Sequence, residues 1–158
     1  MEENKLSHID TAGNPAMVDV SAKAATRRVA KAQAIVQLGA EVMALLQGDD
    51  IHTHKGPVFQ TAMLAGVMAA KKTADLIPLC HPLGLEDCQV RITVRGTAAV
   101  IDTETVVTSK TGVEMEALTA ASVAALTVYD MCKAISHDIV IEQIKLMEKT
   151  GGKRPFKR

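Results

Sequence analysis

The chain is poor in aromatic residues: among 158 residues there is no Trp, one Tyr and two Phe. Its core must therefore be aliphatic, and eight Met with many Ala point to closely approaching helices and interfaces. Cysteine is scarce too. Cys80, Cys88 and Cys132 form no CxxC and no complete pairing, which excludes a disulfide-stapled miniprotein and reads as reduced thiols in a cytosol-like compartment. Charge of one sign is lacking, because 18 Lys plus Arg balance 18 Asp plus Glu. A global basic field for nucleic acid or an anionic membrane is thereby excluded. No apolar run approaches the ~20 residues that span a bilayer, and the opening MEENKLSHID is polar and acidic. The expectation is a cytoplasmic protein with neither membrane nor nucleic acid as partner.

Recognised chemical signatures are missing as well. There is no GxxxxGKS or GxxxxGKT, no GxGxxG after a strand, no HExxH, no GxSxG and no zinc-finger spacing. Phosphate contacts would have to use dispersed Lys and Arg, and no metal site is expected.

What is present fits one domain spanning residues 1–158, with 47% hydrophobic residues, enough for a buried core. Residues 1–20 show no periodicity and read as a loose arm, or one ordered by a neighbouring subunit. From Arg28 to Leu38 alternation predicts a strand with one covered face. AEVMALLQ predicts a short helix, followed by a loop carrying His52, His54, Lys55, Gly56 and Pro57. Spacings of three and four predict a buried helix from Val58 to about Asp75, ended by Pro78. Asp87 to Arg95 alternates cleanly, and Gly96-Thr97 turns it into a second strand, AAVIDTETVVTS. Thr111 is the expected cap of a helix over about 113–135, with Glu114 and Glu116 suiting its positive end. A last strand, about 138–148, needs a bulge near Gln143 to bring its Ile and Leu residues to one side. Residues 151–158, GGKRPFKR, read as a flexible basic tail. The order predicts an α+β, ferredoxin-like split βαβ fold, an antiparallel sheet with helices packed on one face.

Three segments could carry chemistry. In KKTADLIPLCHPLG, two prolines fix the backbone around Cys80 and His81, an arrangement that either holds a reactive group or merely stops a helix. In TGVEMEALTAASVAALTVYDMCK, Glu114 and Glu116 begin a helix, while Asp130 and Lys133 share a face near its end. Taken alone, these residues read first as dipole compensation by the acids and an ordinary surface ion pair. Fourteen helical residues put Glu116 about 21 Å from Asp130. If both serve one substrate, a second subunit brings one of them. In EKTGGK, paired glycines allow close backbone approach and leave Lys149 and Lys153 to meet an anion.

Together with MVDVSAKA, the segments LIPLCHPL, TGVEMEALTA, LTVYDMCKA and EKTGGK resemble the cyclic pyranopterin monophosphate synthase family, the second enzyme of molybdenum cofactor biosynthesis, from about Ser7 to Lys153. The resemblance implies a lyase that converts 3',8-cyclised dihydro-GTP to cyclic pyranopterin monophosphate and pyrophosphate. It implies a ferredoxin-like subunit in a homohexamer, a trimer of dimers, with interfacial active sites. By motif it makes Asp130 the catalytic acid/base and Lys133 the neighbouring catalytic cation. Leu79, Cys80 and His81, and Glu114, Met115 and Glu116, would bind substrate, with Lys55, Lys149 and Arg28 as basic positions near the triphosphate or base. No cofactor is required, although Mg²⁺ could accompany the phosphates. The alternatives are a noncatalytic oligomeric nucleotide- or pterin-binding protein on the same scaffold, and a metal-binding module using His52, His54 and His81.

Overall fold

Between Thr26 and Gln37 the chain forms β1, whose Ala30, Ala32, Ala34 and Val36 are buried while the residues between them are half-exposed. This is the two-residue period of a strand with one covered face. The computed structural model describes residues 7–158. After β1 come α1 (Gly39–Met43), β2 (Leu46–Gln47), β3 (Asp50–Thr53), β4 (Gly56–Pro57), α2 (Val58–Ala70), α3 (Thr73–Leu76), β5 (Asp87–Arg95), β6 (Ala98–Ser109), α4 (Glu114–Cys132), β7 (Val140–Thr150) and β8 (Phe156–Lys157).

Five strands form one sheet in the order β5-β6-β1-β7-β8, each neighbouring pair antiparallel. Each helical crossover skips a strand: α2 links β1 to β5 around β6, and α4 links β6 to β7 around β1. Helix α4 covers the alanine face of β1, and α2 packs beside it on β5, which gives the expected α+β architecture.

Small side chains let α4 lie close to this sheet. Ala117, Ala120, Ala121, Ala124 and Ala125 are fully buried between it and α2. Two sheet threonines fasten the helix: Thr103 Oγ1 donates to the Ala117 carbonyl at 2.8 Å, and Thr105 Oγ1 to that of Val113 at 3.1 Å. Across the helix layer, α2 presents Gly66 where a Cβ would stand 3.0 Å from the Ala120 carbonyl oxygen. A larger residue would push the helices apart.

The expected loop at 52–57 is instead a three-stranded sheet, β2-β3-β4. The helix expected over AEVMALLQ stops at Met43, because Leu46 and Gln47 pair with Ile51 and Asp50 across a turn at Gly48-Asp49. Asp50 ties this small sheet to α2. Its carboxylate, 4% exposed, accepts the backbone N–H groups of Ile51 (2.7 Å), Phe59 (2.7 Å) and Gln60 (3.1 Å). Pro57, at the N-cap, offers no side-chain acceptor, so a residue from β3 caps the helix.

Other expectations change or hold in part. The helix from Val58 breaks at Lys72, where Thr73 Oγ1 takes the Ala70 carbonyl at 2.9 Å and α3 begins. Thr111 does not cap α4: its buried hydroxyl has no partner, Val113 holds the N-cap position, and the helix ends at Cys132. Strand β7 carries the expected irregularity, opposite Ile35/Val36, and a second opposite Lys31/Ala32. The basic tail folds back as β8, with Glu148 opposite Lys157 and Lys149 opposite Phe156. In the amino-terminal arm, residues 1–6 lie outside the described residues. From Ser7 the arm has its own turn, in which Asp10 Oδ1 accepts the N–H groups of Ala12 and Asn14, both at 2.8 Å. No helix is long and apolar enough to cross a membrane among the described residues.

Substituting Asp50→Ala removes the acceptor of three buried or half-buried donors, and should cost about 3 kcal/mol in urea unfolding, with Asp50→Asn losing less.

Candidate active site

The N-terminal end of α4, the loop around Cys80, the start of β1, the end of β7 and the arm near Val18–Ala24 enclose a cleft of about 1090 Å³. Glu114 and Glu116 enter it from the first turn of α4. Glu114 bends back over Gly112, occupying the space a Cβ there would need, and accepts a hydrogen bond from Lys149 Nζ at 2.8 Å. Glu116 is 4% exposed, and burial, reinforced by the charge of Glu114, pushes its carboxyl above the usual range. Burial also pushes up the Cys80 thiol, with Glu116 adding to the shift. A thiol so raised is a poor nucleophile, which favours a packing role for Cys80.

His81 Nε2 lies 2.8 Å from the Val18 carbonyl, an acceptor only, so Nε2 carries the proton there and Nδ1 is left as the second ring position. Lys110 Nζ donates to the Ser21 carbonyl at 2.8 Å. These two bonds tether the arm across the cleft.

On the opposite wall, Gly151 has φ +87 and packs against the Arg27 carbonyl, where a Cβ would collide. Only glycine fits. At Gly152 a Cβ would stand 2.7 Å from Arg28 Nη1, so the guanidinium lies directly on the glycine backbone. Arg28 Nη2 donates to the Lys110 carbonyl at 3.4 Å, while its buried Nε has no protein partner. The close approach foreseen for the glycine pair is present. Lys149, foreseen as free, is paired with Glu114.

The second cluster lies at the other end of α4. Asp130 Oδ1 meets Lys133 Nζ at 2.8 Å, and Oδ2 meets Lys55 Nζ at 3.0 Å. Lys55 Nζ also donates to the Asp130 backbone carbonyl at 3.1 Å. Hydrogen bonds from Lys133 first, then Lys55, hold the Asp130 carboxyl down at about 2, and Asp130 in turn raises Lys133.

The structure thus gathers Arg28, Leu79, Cys80, His81, Glu114, Met115, Glu116 and Lys149 around one cleft. Lys55 joins Asp130 and Lys133 instead, at the far end of a helix of 19 residues. Lys23, Lys110, Lys153 and Arg154 also line the cleft. Lys23 belonged to the MVDVSAKA segment; Lys110, at the exit of a strand, carried no signal in the sequence. Among the described residues no group of three His, Cys, Asp or Glu could hold a metal. His81 is engaged with the arm, away from the hairpin bearing His52 and His54.

Residues 17–152 match the MoaC family. The chain belongs to it. One relative is Molybdenum cofactor biosynthesis protein 1 of Drosophila melanogaster, 50% identical over 157 residues, a match that covers 98% of this chain and 27% of that protein. The chain therefore spans about a quarter of the length of that relative.

Two predictions follow from the charges. Because the folded Asp130 carboxyl sits below its ordinary value of 3.8, the ion triplet is intact above that pH and is lost as pH falls towards about 2. Carboxyl NMR should place the Asp130 midpoint there, and Lys133→Ala should move it upward. Glu116→Gln removes a buried charge, and should leave thermal stability equal or raise it by about 1 kcal/mol while weakening ligand binding.

Proposed function

We propose that this chain is a cyclic pyranopterin monophosphate synthase, a lyase that converts 3',8-cyclised dihydro-GTP to the cyclic monophosphate and pyrophosphate in molybdenum cofactor biosynthesis. The observation that carries the reading is the pairing of an acid-and-cation cleft with a separate Lys-Asp-Lys cluster, in a MoaC-family chain half identical to a protein named for that biosynthesis. In this reading the cleft takes the guanine-derived ring against His81, Glu114 and Glu116, with Arg28 and Lys149 beside the polar groups. Ring rebuilding needs several proton transfers. Closing the cyclic phosphate then needs a substrate oxygen to attack the α-phosphorus as the bond to the departing pyrophosphate breaks. Lysines near that bond stabilise its developing charge. Mg²⁺ enters only as a companion of the phosphates.

Glu116 and Asp130 sit at opposite ends of α4, about 21 Å apart, so the complete site joins two subunits. Apolar side chains left on the outer face of the helix layer support such an assembly: Leu64, Met68 and Leu126 are 62%, 54% and 58% exposed. We assign the assembly as a homohexamer, and light scattering should give six 16.8 kDa chains.

The decisive assay supplies the cyclised dihydro-GTP to purified protein and measures pyrophosphate and pterin product. Wild type should turn over, and neither Glu116→Gln nor Asp130→Asn should. Mixed and reassembled, the two inactive variants should regain about a quarter of wild-type activity, since that share of interfaces draws one intact end from each. Binding without turnover by wild type would select the noncatalytic reading.

A further inference from the structure

Lysines and arginines outnumber the carboxylates lining the cleft, which suits an anion of several charges. Some of these cations are already engaged. Lys149 pairs with Glu114, Lys110 donates to the Ser21 carbonyl, and Arg28 lies on the Gly152 backbone. Lys153 and Arg154 have no ion-pair partner among the described residues.

An arginine on a loose tail would be an ordinary solvated charge. Arg154 is held otherwise. The chain leaves β7 at Thr150, turns through Gly151, whose carbonyl accepts from Thr26 Oγ1 at 2.8 Å, and returns to place Phe156 opposite Lys149 and Lys157 opposite Glu148. Arg158 then donates its backbone N–H to the Met147 carbonyl and its Nε to that of Leu146, each at 2.9 Å. Its guanidinium lies 5.4 Å from the centre of the Phe156 ring. Pro155 fixes the backbone between β8 and Arg154. Both ends of the loop are thereby fastened, and Lys153 and Arg154 within it line the cleft. Every residue from Gly151 to Arg158 is exposed, so this fastening adds nothing to the core. What it secures is the place of the loop.

Resting on the proposed synthase reading, we infer that β8 is a strap that positions Arg154 at the cleft as a contact for the terminal phosphate of a polyphosphate chain, which makes Arg154 a specificity residue favouring triphosphate over shorter anions. Arg28 is half-buried and Arg154 exposed, so a chain of phosphates reaching outward past Arg28 meets Arg154 at its free end. A guanidinium offers phosphate oxygens paired N–H donors in a fixed fork.

The test separates the contact from its support. Wild type, R154A, F156P and the double variant, each as the full chain, are titrated by calorimetry with orthophosphate, pyrophosphate and tripolyphosphate, and KM for the cyclised dihydro-GTP is measured alongside. F156P keeps every charge, because proline breaks the β8 pairing and only the ring beneath Arg158 is lost. Tripolyphosphate affinity should weaken about tenfold in R154A and by a similar factor in F156P, with orthophosphate affinity unchanged and KM rising in step. The double variant should bind no more weakly than R154A alone. The proposal is overturned if wild type does not prefer tripolyphosphate to the shorter anions, or if either single variant binds it as wild type does. Additive losses in the double variant overturn it too, since β8 would then act through Lys149, its neighbour in the register. The expected binding pattern without turnover by wild type would support the strap and defeat the synthase reading instead.

Discussion

The close seating of α4 on the sheet is the constraint on which the rest of this structure depends. Alanine makes up half of its buried residues, and the strand beneath it offers Ala30, Ala32 and Ala34 in return. Such a surface buries little area per residue, so its contribution comes from proximity and dense packing. Proximity also lets the Thr103 and Thr105 hydroxyls reach helix carbonyls, and fixes the height and rotation of α4. The two polar ends of the helix are thereby held rigidly. One carries Glu114 and Glu116 into the cleft, the other carries Asp130 and Lys133 to the hairpin of Lys55. A bulkier residue in the seam would shift both chemical ends at once.

Around this helix, buried polar groups do positioning that apolar packing cannot. Asp50 spends its carboxylate on N–H groups from two elements, which makes the small β2-β3-β4 sheet and α2 one unit. The glycines at 112, 151 and 152 act by what they lack. Each leaves a space taken by a functional group or its backbone support: the Glu114 carboxylate, the Arg27 carbonyl and the Arg28 guanidinium. The cleft joins desolvation to charge: Glu116 resists ionisation, Glu114 is neutralised by Lys149, and Arg28 keeps a buried Nε without a protein partner. Unsatisfied donors of this kind are tolerated where a ligand supplies the acceptor.

Local patterning exposed much of this. Alternation in β1 and in Asp87–Arg95, the Gly96-Thr97 turn and the long α4 follow from side-chain periodicity; the Asp87–Arg95 strand and its turn are present as expected, while β1 and α4 have ends shifted by up to three residues. The conflict between Ile141 and Ile144 in β7 required a bulge, and the register has one there. Where the reading failed, distant partners had overridden local preference. Leu46 and Gln47 continue a helical pattern but pair with β3; the cap expected of Thr111 is absent; α2 draws its cap from Asp50, across the β3–β4 hairpin. Local signals carry no information about partners far along the chain.

By itself, then, the sequence determined the α+β class, the aliphatic core, the motif residues and the impossibility of Glu116 meeting Asp130 on one helix. These follow from composition, from periods of two and 3.6 residues, and from the fixed rise of a helix. Tertiary structure alone decided that Lys55 leaves the other basic residues to join Asp130, 75 residues away. It alone decided that His81 holds the amino-terminal arm through Val18 and that Lys110 faces the cleft. Each of these contacts joins segments that no local rule relates, and each exists because a sheet, a helix layer and a capped hairpin packed around one another to satisfy buried polar groups.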